Sequence, residues 1–181
     1  SALPGVVAEG RRVMANTERI ASLFLAKTIY ASLIAFVVAI TAIGYPFLPR
    51  QLTIVSSLTI GIPAFALALA PNDRRYRSGF LRRVLALAVP AGLVAGIMTL
   101  AARQWLALEG AEQAQVTTAA TLVLVVSGLS LLTLTARPLL GWRLGLVLLM
   151  AGAAVLGVLI PGVREFFVLA WPDPGTWLTI V

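Results

Sequence analysis

The 181-residue sequence contains neither cysteine nor histidine. That excludes disulfides, thiolate catalysis and the usual soft-metal sites within the chain. Charge is scarce as well: Asp, Glu, Lys and Arg make up 12% of the residues, against about a quarter in soluble domains. There are seven acidic residues, and none falls inside a predicted membrane span. Phosphate loops, nucleophile elbows, metal-binding helix motifs and paired carboxylates are all missing. The chain therefore carries no visible catalytic apparatus of its own.

What is there is apolar. Hydrophobic residues reach 60% and mean hydropathy is +0.97. A water-soluble fold of this size would have too few polar residues to cover its surface, so lipid is the expected solvent. The net charge of +7 does not point to nucleic acid. A nucleic-acid reader clusters its basic residues on one hydrophilic face, whereas here they sit in short runs between apolar stretches. The expected fold is all-α: a polytopic transmembrane helix bundle forming one domain over residues 1–181. A span needs about 20 apolar residues, and five are predicted, at 22–43, 52–70, 85–103, 117–136 and 144–160. Residues 1–21 read as a helical cytoplasmic stalk, and 174–181 as the start of a truncated sixth span. Ser1 to Gly10 lacks the pattern of a signal peptide, and an opening without methionine reads as a piece of a longer protein.

Orientation follows from the arginines. With the stalk inside, the inner segments hold ten basic residues: Arg11, Arg12, Arg19, Arg74, Arg75, Arg77, Arg82, Arg83, Arg137 and Arg143. The outer segments hold three, Arg50, Arg103 and Arg164. The positive-inside rule then places the N-terminus in the cytoplasm. Trp105, Trp142, Trp171 and Trp177 fall near span ends, as interfacial anchors do.

Few polar residues lie at membrane depth. Lys27 sits one turn into the first span. Either its stem lies in lipid and its ammonium snorkels to the interface, or its charge faces the bundle interior. In the second span, Ser56, Thr59 and Pro63 share a face by their three- and four-residue spacing. Pro63 has no N–H, so the carbonyl of Thr59 loses its helical partner, and Gly61 adds local freedom. A helix break between Thr59 and Pro63 is expected. Irregular backbone at this depth is tolerated where it is buried or lines a polar cavity, and broken helices offer carbonyls to cations in transporters. A proline kink with hydroxyls bonded back onto the helix accounts for the same residues equally well. Ser127 and the other hydroxyls of the later spans read as packing contacts, as do Gly92 and Gly96.

The stretch from Leu3 to Val13, with Glu9-Gly10-Arg11 followed by Asn16, resembles the place where P-type ATPases leave the phosphorylation domain and enter the fifth membrane helix. Phe47-Leu48-Pro49-Arg50-Gln51-Leu52 resembles their turn between the fifth and sixth helices. Gly61-Ile62-Pro63-Ala64 and Ala70-Pro71-Asn72 resemble the break and exit of the sixth. The likeness runs without a gap from Glu9 to Asn72. Leu23 to Tyr30 and the arginine-rich 71–83 loop are most similar to an actinobacterial branch implicated in calcium transport.

The resemblance implies the C-terminal membrane half of an ATP-driven cation pump in a bacterial plasma membrane. The partners it implies are the bilayer, a transported cation with calcium first, and the preceding membrane helices and cytoplasmic domains of the same protein. ATP and magnesium are expected for the parent protein, with no cofactor in this segment. The family's cation ligands fall on Thr28 and Ala31 in the first span and on Ser56, Thr59 and Ile60 in the second. Both family carboxylates are thus replaced, leaving Thr28, Ser56 and Thr59 as the candidate cation-binding oxygens. Lys27 is a candidate built-in counter-cation, and Gly61 with Pro63 the helix break. The competing reading is a non-catalytic polytopic protein such as a channel subunit or scaffold. The charge asymmetry makes a direct prediction: a cysteine at Ser78 stays unlabelled by impermeant reagent applied outside intact cells, and ready labelling overturns the orientation.

Overall fold

A computed structural model describes residues 3–70, 79–139 and 141–171. The expected start of a sixth span, Trp177 and most of the 71–83 loop lie outside these residues. Among the described residues all regular secondary structure is helical, in the order α1 (Leu3–Thr41), α2 (Pro49–Ser56), a π-helical turn (Ser57–Gly61), α3 (Ile62–Ala68), α4 (Phe80–Leu108), α5 (Gln113–Thr135), α6 (Trp142–Leu159) and α7 (Pro161–Phe166). Five segments are long and apolar enough to cross a membrane: Asn16–Thr41, Pro49–Ala68, Phe80–Leu108, Gln113–Thr135 and Trp142–Leu159. Stalk and first span are one helix of 39 residues, about 58 Å long at the usual rise.

Local chemistry sets the helix ends. Pro49 takes the first-turn position of α2, where a missing N–H costs nothing, and the Leu48 N–H donates to Gln51 Oε1 at 3.0 Å. Gly79 opens α4 at φ +85°, in the left-handed region that glycine enters freely. Ile160 is extended before Pro161, as a residue preceding proline prefers, and this ends α6. The third span runs past its expected end at 103 to Leu108. Arg103, counted above with the outer segments, thus lies inside the helix, and it is buried. Its guanidinium reaches the chain just after α1, with Nη2 3.5 Å from where a Cβ on Gly44 would sit.

Packing is most extensive between α1 and α4. A Cβ on Gly92 would lie 2.8 Å from the Ala26 carbonyl oxygen, and one on Gly96 2.9 Å from Leu33 Cδ2. The two glycines thus let the helices approach to backbone contact. Leu23, Ile34, Leu67, Leu124 and Leu132 fill the interior, while large apolar side chains such as Phe36, Phe65 and Leu149 point outwards. Outward apolar side chains around a helical bundle suit a lipid solvent. Trp105, Trp142 and Trp171 are about half exposed near helix ends. Arg143 and Arg164 lie over the Trp142 and Trp171 rings at 5.7 and 5.3 Å.

One turn of α1 gathers the ends of three other spans. Asn16 is buried and its Nδ2 donates to the carbonyls of Ala68 at 3.1 Å and Ala70 at 2.8 Å, at the close of α3. Arg19 donates to the Arg137 carbonyl beyond α5 at 3.2 Å. Arg83 in the first turn of α4 donates through Nε and Nη2 to the two Glu18 oxygens, each at 2.8 Å. At the opposite end, the fully buried Gln51 plays the same part. Its Nε2 donates to the Val168 carbonyl at 3.0 Å and to Thr117 Oγ1 at 3.4 Å.

These ties differ in strength, which gives a prediction. The Glu18–Arg83 pair is about a third exposed, and such pairs contribute under about 1 kcal/mol. Asn16→Ala strands two helix-terminal carbonyls at a buried contact, a loss of about 1–3 kcal/mol. Thermal unfolding in detergent should therefore find Asn16→Ala clearly more destabilised than Glu18→Gln. Equal losses would contradict the ranking.

Candidate cation site

The site is built around what Pro63 does to the second span. In a regular helix the Pro63 nitrogen would serve the Thr59 carbonyl, but it has no proton to give. The regular four-residue ladder is interrupted here without ending the helix. The helix instead widens: Ile62 N–H reaches back five residues to the Ser57 carbonyl, and residues Ser57–Gly61 form a π-helical turn. The chain thus stays hydrogen-bonded across the proline. The cost falls on two neighbouring carbonyls. Thr59 has no donor four residues on, and Leu58 has lost its own because Ile62 has turned to Ser57. Gly61 sits at φ −59°, ψ −63°, which any residue adopts. The proline, not the glycine, dictates the turn.

Thr59 occupies the middle of this turn and is 2% exposed. Its hydroxyl donates to the Val55 carbonyl at 2.8 Å, which leaves its lone pairs available as acceptors. Facing it is a cavity of about 20 Å³ whose walls include Lys27 and Tyr30 of α1, Thr59 and Ile60 of the π turn, and Ser127 and Gly128 of α5. That is room for a single water-sized occupant. Among the described residues no cluster of acidic side chains stands ready for a metal ion.

Lys27 settles between its two readings. Its Nζ donates to Ser56 Oγ at 2.9 Å, so the ammonium reaches across to the second span instead of snorkelling along α1. Lys27, Ser56 and Thr59 are thus brought together. Thr28 is not. It is exposed, and its hydroxyl turns back onto the Phe24 carbonyl at 3.1 Å, about 100° around the helix from Lys27. The back-bonding expected of membrane-helix hydroxyls is general here: Thr41, Thr53, Thr121, Ser130 and Thr133 all donate four residues back.

Ser127, which read from the sequence as a packing residue, also borders the cavity, as does Gly128, which the sequence reading did not single out. The available signal was a lone Ser-Gly pair inside the bulky run from Leu122 to Leu131. A glycine deep in an apolar helix marks a close approach, but it does not name the neighbour.

The comparisons with known proteins meet the site at this point. No family model matches the chain. Calcium-transporting ATPase CtpE of Mycobacterium bovis is 46% identical over 92% of this chain, and its Mycolicibacterium smegmatis counterpart is 44% identical over the same share. The chain is similar to part of CtpE. It spans 23% of the length of these CtpE relatives. A probable cation-transporting ATPase, exp7, of Streptococcus pneumoniae is 28% identical over 90% of this chain and 22% of its own length. The likeness to CtpE therefore takes in α5 and α6 as well as the α1–α3 region whose motifs resemble P-type ATPases.

Proposed function

We propose that this chain is the membrane part of an ATP-driven cation pump that carries calcium, and that Ser56 and Thr59 supply oxygens to the ion on its path. The observation that carries the reading is the π turn: it holds a buried hydroxyl and two carbonyls without i+4 donors beside a cavity at membrane depth. Turns of this kind recur at functional sites, and similarity to CtpE supplies the kind of cargo. Hard cations favour carboxylates, and the cavity wall has none. One ion rather than two fits this oxygen set, with further ligands from membrane helices that precede α1 in the parent pump. A helix packed on the exposed side of α1 would bring Thr28 into such a set.

Lys27 acts as a built-in counter-cation. Its ammonium holds Ser56 Oγ, and an arriving cation has to displace it, since two positive charges a few ångströms apart repel strongly in a low dielectric. ATP and magnesium act on the parent's cytoplasmic domains. The N-terminus of α1 and the 71–83 loop face the cytoplasm, and the membrane is the bacterial plasma membrane.

Ion-stimulated phosphorylation of the full-length parent tests this. Calcium should stimulate it. Thr59→Ala should raise the half-activating calcium concentration roughly tenfold, the effect of losing about 1.4 kcal/mol of ligand energy. Lys27→Ala should lower that concentration by removing the competing charge. Wild-type ion dependence in both variants would sink the site. A parent that no cation stimulates would favour the non-catalytic polytopic reading.

A further inference from the structure

The inner faces of α5 and the second span meet at one point with no clearance. A Cβ on Gly128 would fall 2.6 Å from Thr59 Cγ2, 2.7 Å from Thr59 Cβ and 3.0 Å from Thr59 Oγ1. These are not the yielding tip of a long side chain. Threonine is stiff at χ1, and the Thr59 rotamer is further held by the 2.8 Å bond to the Val55 carbonyl. Its backbone belongs to the π turn, with Leu58 and Ile60 buried on either side. Gly128 is in the middle of α5, where glycine costs about 1 kcal/mol relative to alanine. Not every helical glycine is so constrained: Gly145 and Gly152 of α6 have nothing within 4 Å of an added Cβ. The missing side chain at 128 is what makes room for Thr59.

We infer that Gly128 is a positioning residue: by seating Thr59 against α5 it sets the distance from the Thr59 hydroxyl to the opposite wall of the cavity, and so the ion size the site prefers. This rests on reading Thr59 as a cation ligand. Any side chain at 128 must drive the π turn off α5 and change the spacing between Thr59, Lys27 and Ser127 around a cavity of only about 20 Å³. At that size a few tenths of an ångström alter which cation fits. Calcium takes oxygens at about 2.3–2.6 Å and magnesium at about 2.0–2.1 Å, so discrimination between ions of different radius is the property that responds.

The experiment uses the full-length parent pump and reads the ratio of half-activating concentrations for calcium and manganese in ion-stimulated phosphorylation. Gly128→Ala should shift this ratio fivefold or more, the scale of coupling between touching residues. The shift should vanish in a Thr59→Ala background, where the hydroxyl is gone. Gly152→Ala, with open space for its methyl, should leave the ratio unchanged. If Gly128→Ala does not accumulate, the double variant Gly128→Ala/Thr59→Ser, which removes the nearest methyl and keeps the hydroxyl, is compared with Thr59→Ser alone and should show the same shift. An unchanged ratio in the variant that folds, while Thr59→Ala alters ion dependence, overturns the inference and leaves Thr59 as a ligand. Wild-type ion dependence in Thr59→Ala overturns both. A Gly128→Ala shift that persists without the Thr59 hydroxyl also overturns the inference, because the glycine then acts by another route.

Discussion

An amide that proline cannot supply, at a depth where water cannot replace it, governs the middle of this molecule. In lipid every backbone carbonyl has to find a partner within the protein, and Pro63 denies one to Thr59. The chain answers by slipping its hydrogen-bond register one residue, so that Ile62 serves Ser57. The helix survives and the deficit becomes local, at Leu58 and Thr59. The rest of the bundle accommodates that widened turn: α5 offers a residue without a side chain, α1 offers Lys27, and Leu67 continues the buried stripe into α3.

Charge is the second constraint. The described membrane-depth polar groups near the turn are hydroxyls, carbonyls and one ammonium, and the ammonium already holds one hydroxyl. On the reading proposed above, a site of this composition binds a divalent ion weakly unless Lys27 withdraws or more oxygens arrive. The first of these requirements involves α1, which carries Lys27. That helix has little independence at its other end, where Asn16, Glu18 and Arg19 are tied to the ends of three spans. Through Asn16 it is tied to the close of α3 at Ala68, nine residues from Thr59 along a continuous helical run.

How much of this could be read from the sequence depended on the range of the interaction. Helical architecture and the number of helices apolar enough to cross a membrane are properties of composition and run length, and both were legible in the sequence. Helix ends are harder to place than helix middles: Arg103, counted with the outer segments at the end of an expected span, lies inside a helix that continues to Leu108 and is buried beside Gly44. Pro63 announced irregular backbone at the right place. Whether the helix would break or widen depended on whether Ile62 could reach Ser57, which a residue pattern does not encode. Lys27 permitted two orientations until Ser56 was seen opposite it. Thr28, aligned with a family ligand, faces outwards among the described residues. The contact between Gly128 and Thr59 joins residues 69 positions apart, and no local signal names such a pair.

The most direct measurement is an electron cryomicroscopy map of the full-length parent with its activating cation bound. The account predicts cation density within coordination distance of Thr59 Oγ1, against a second span that keeps its π turn, with the Lys27 ammonium moved off Ser56. Density for the cation elsewhere in the membrane domain, with Lys27 still bonded to Ser56, would contradict it.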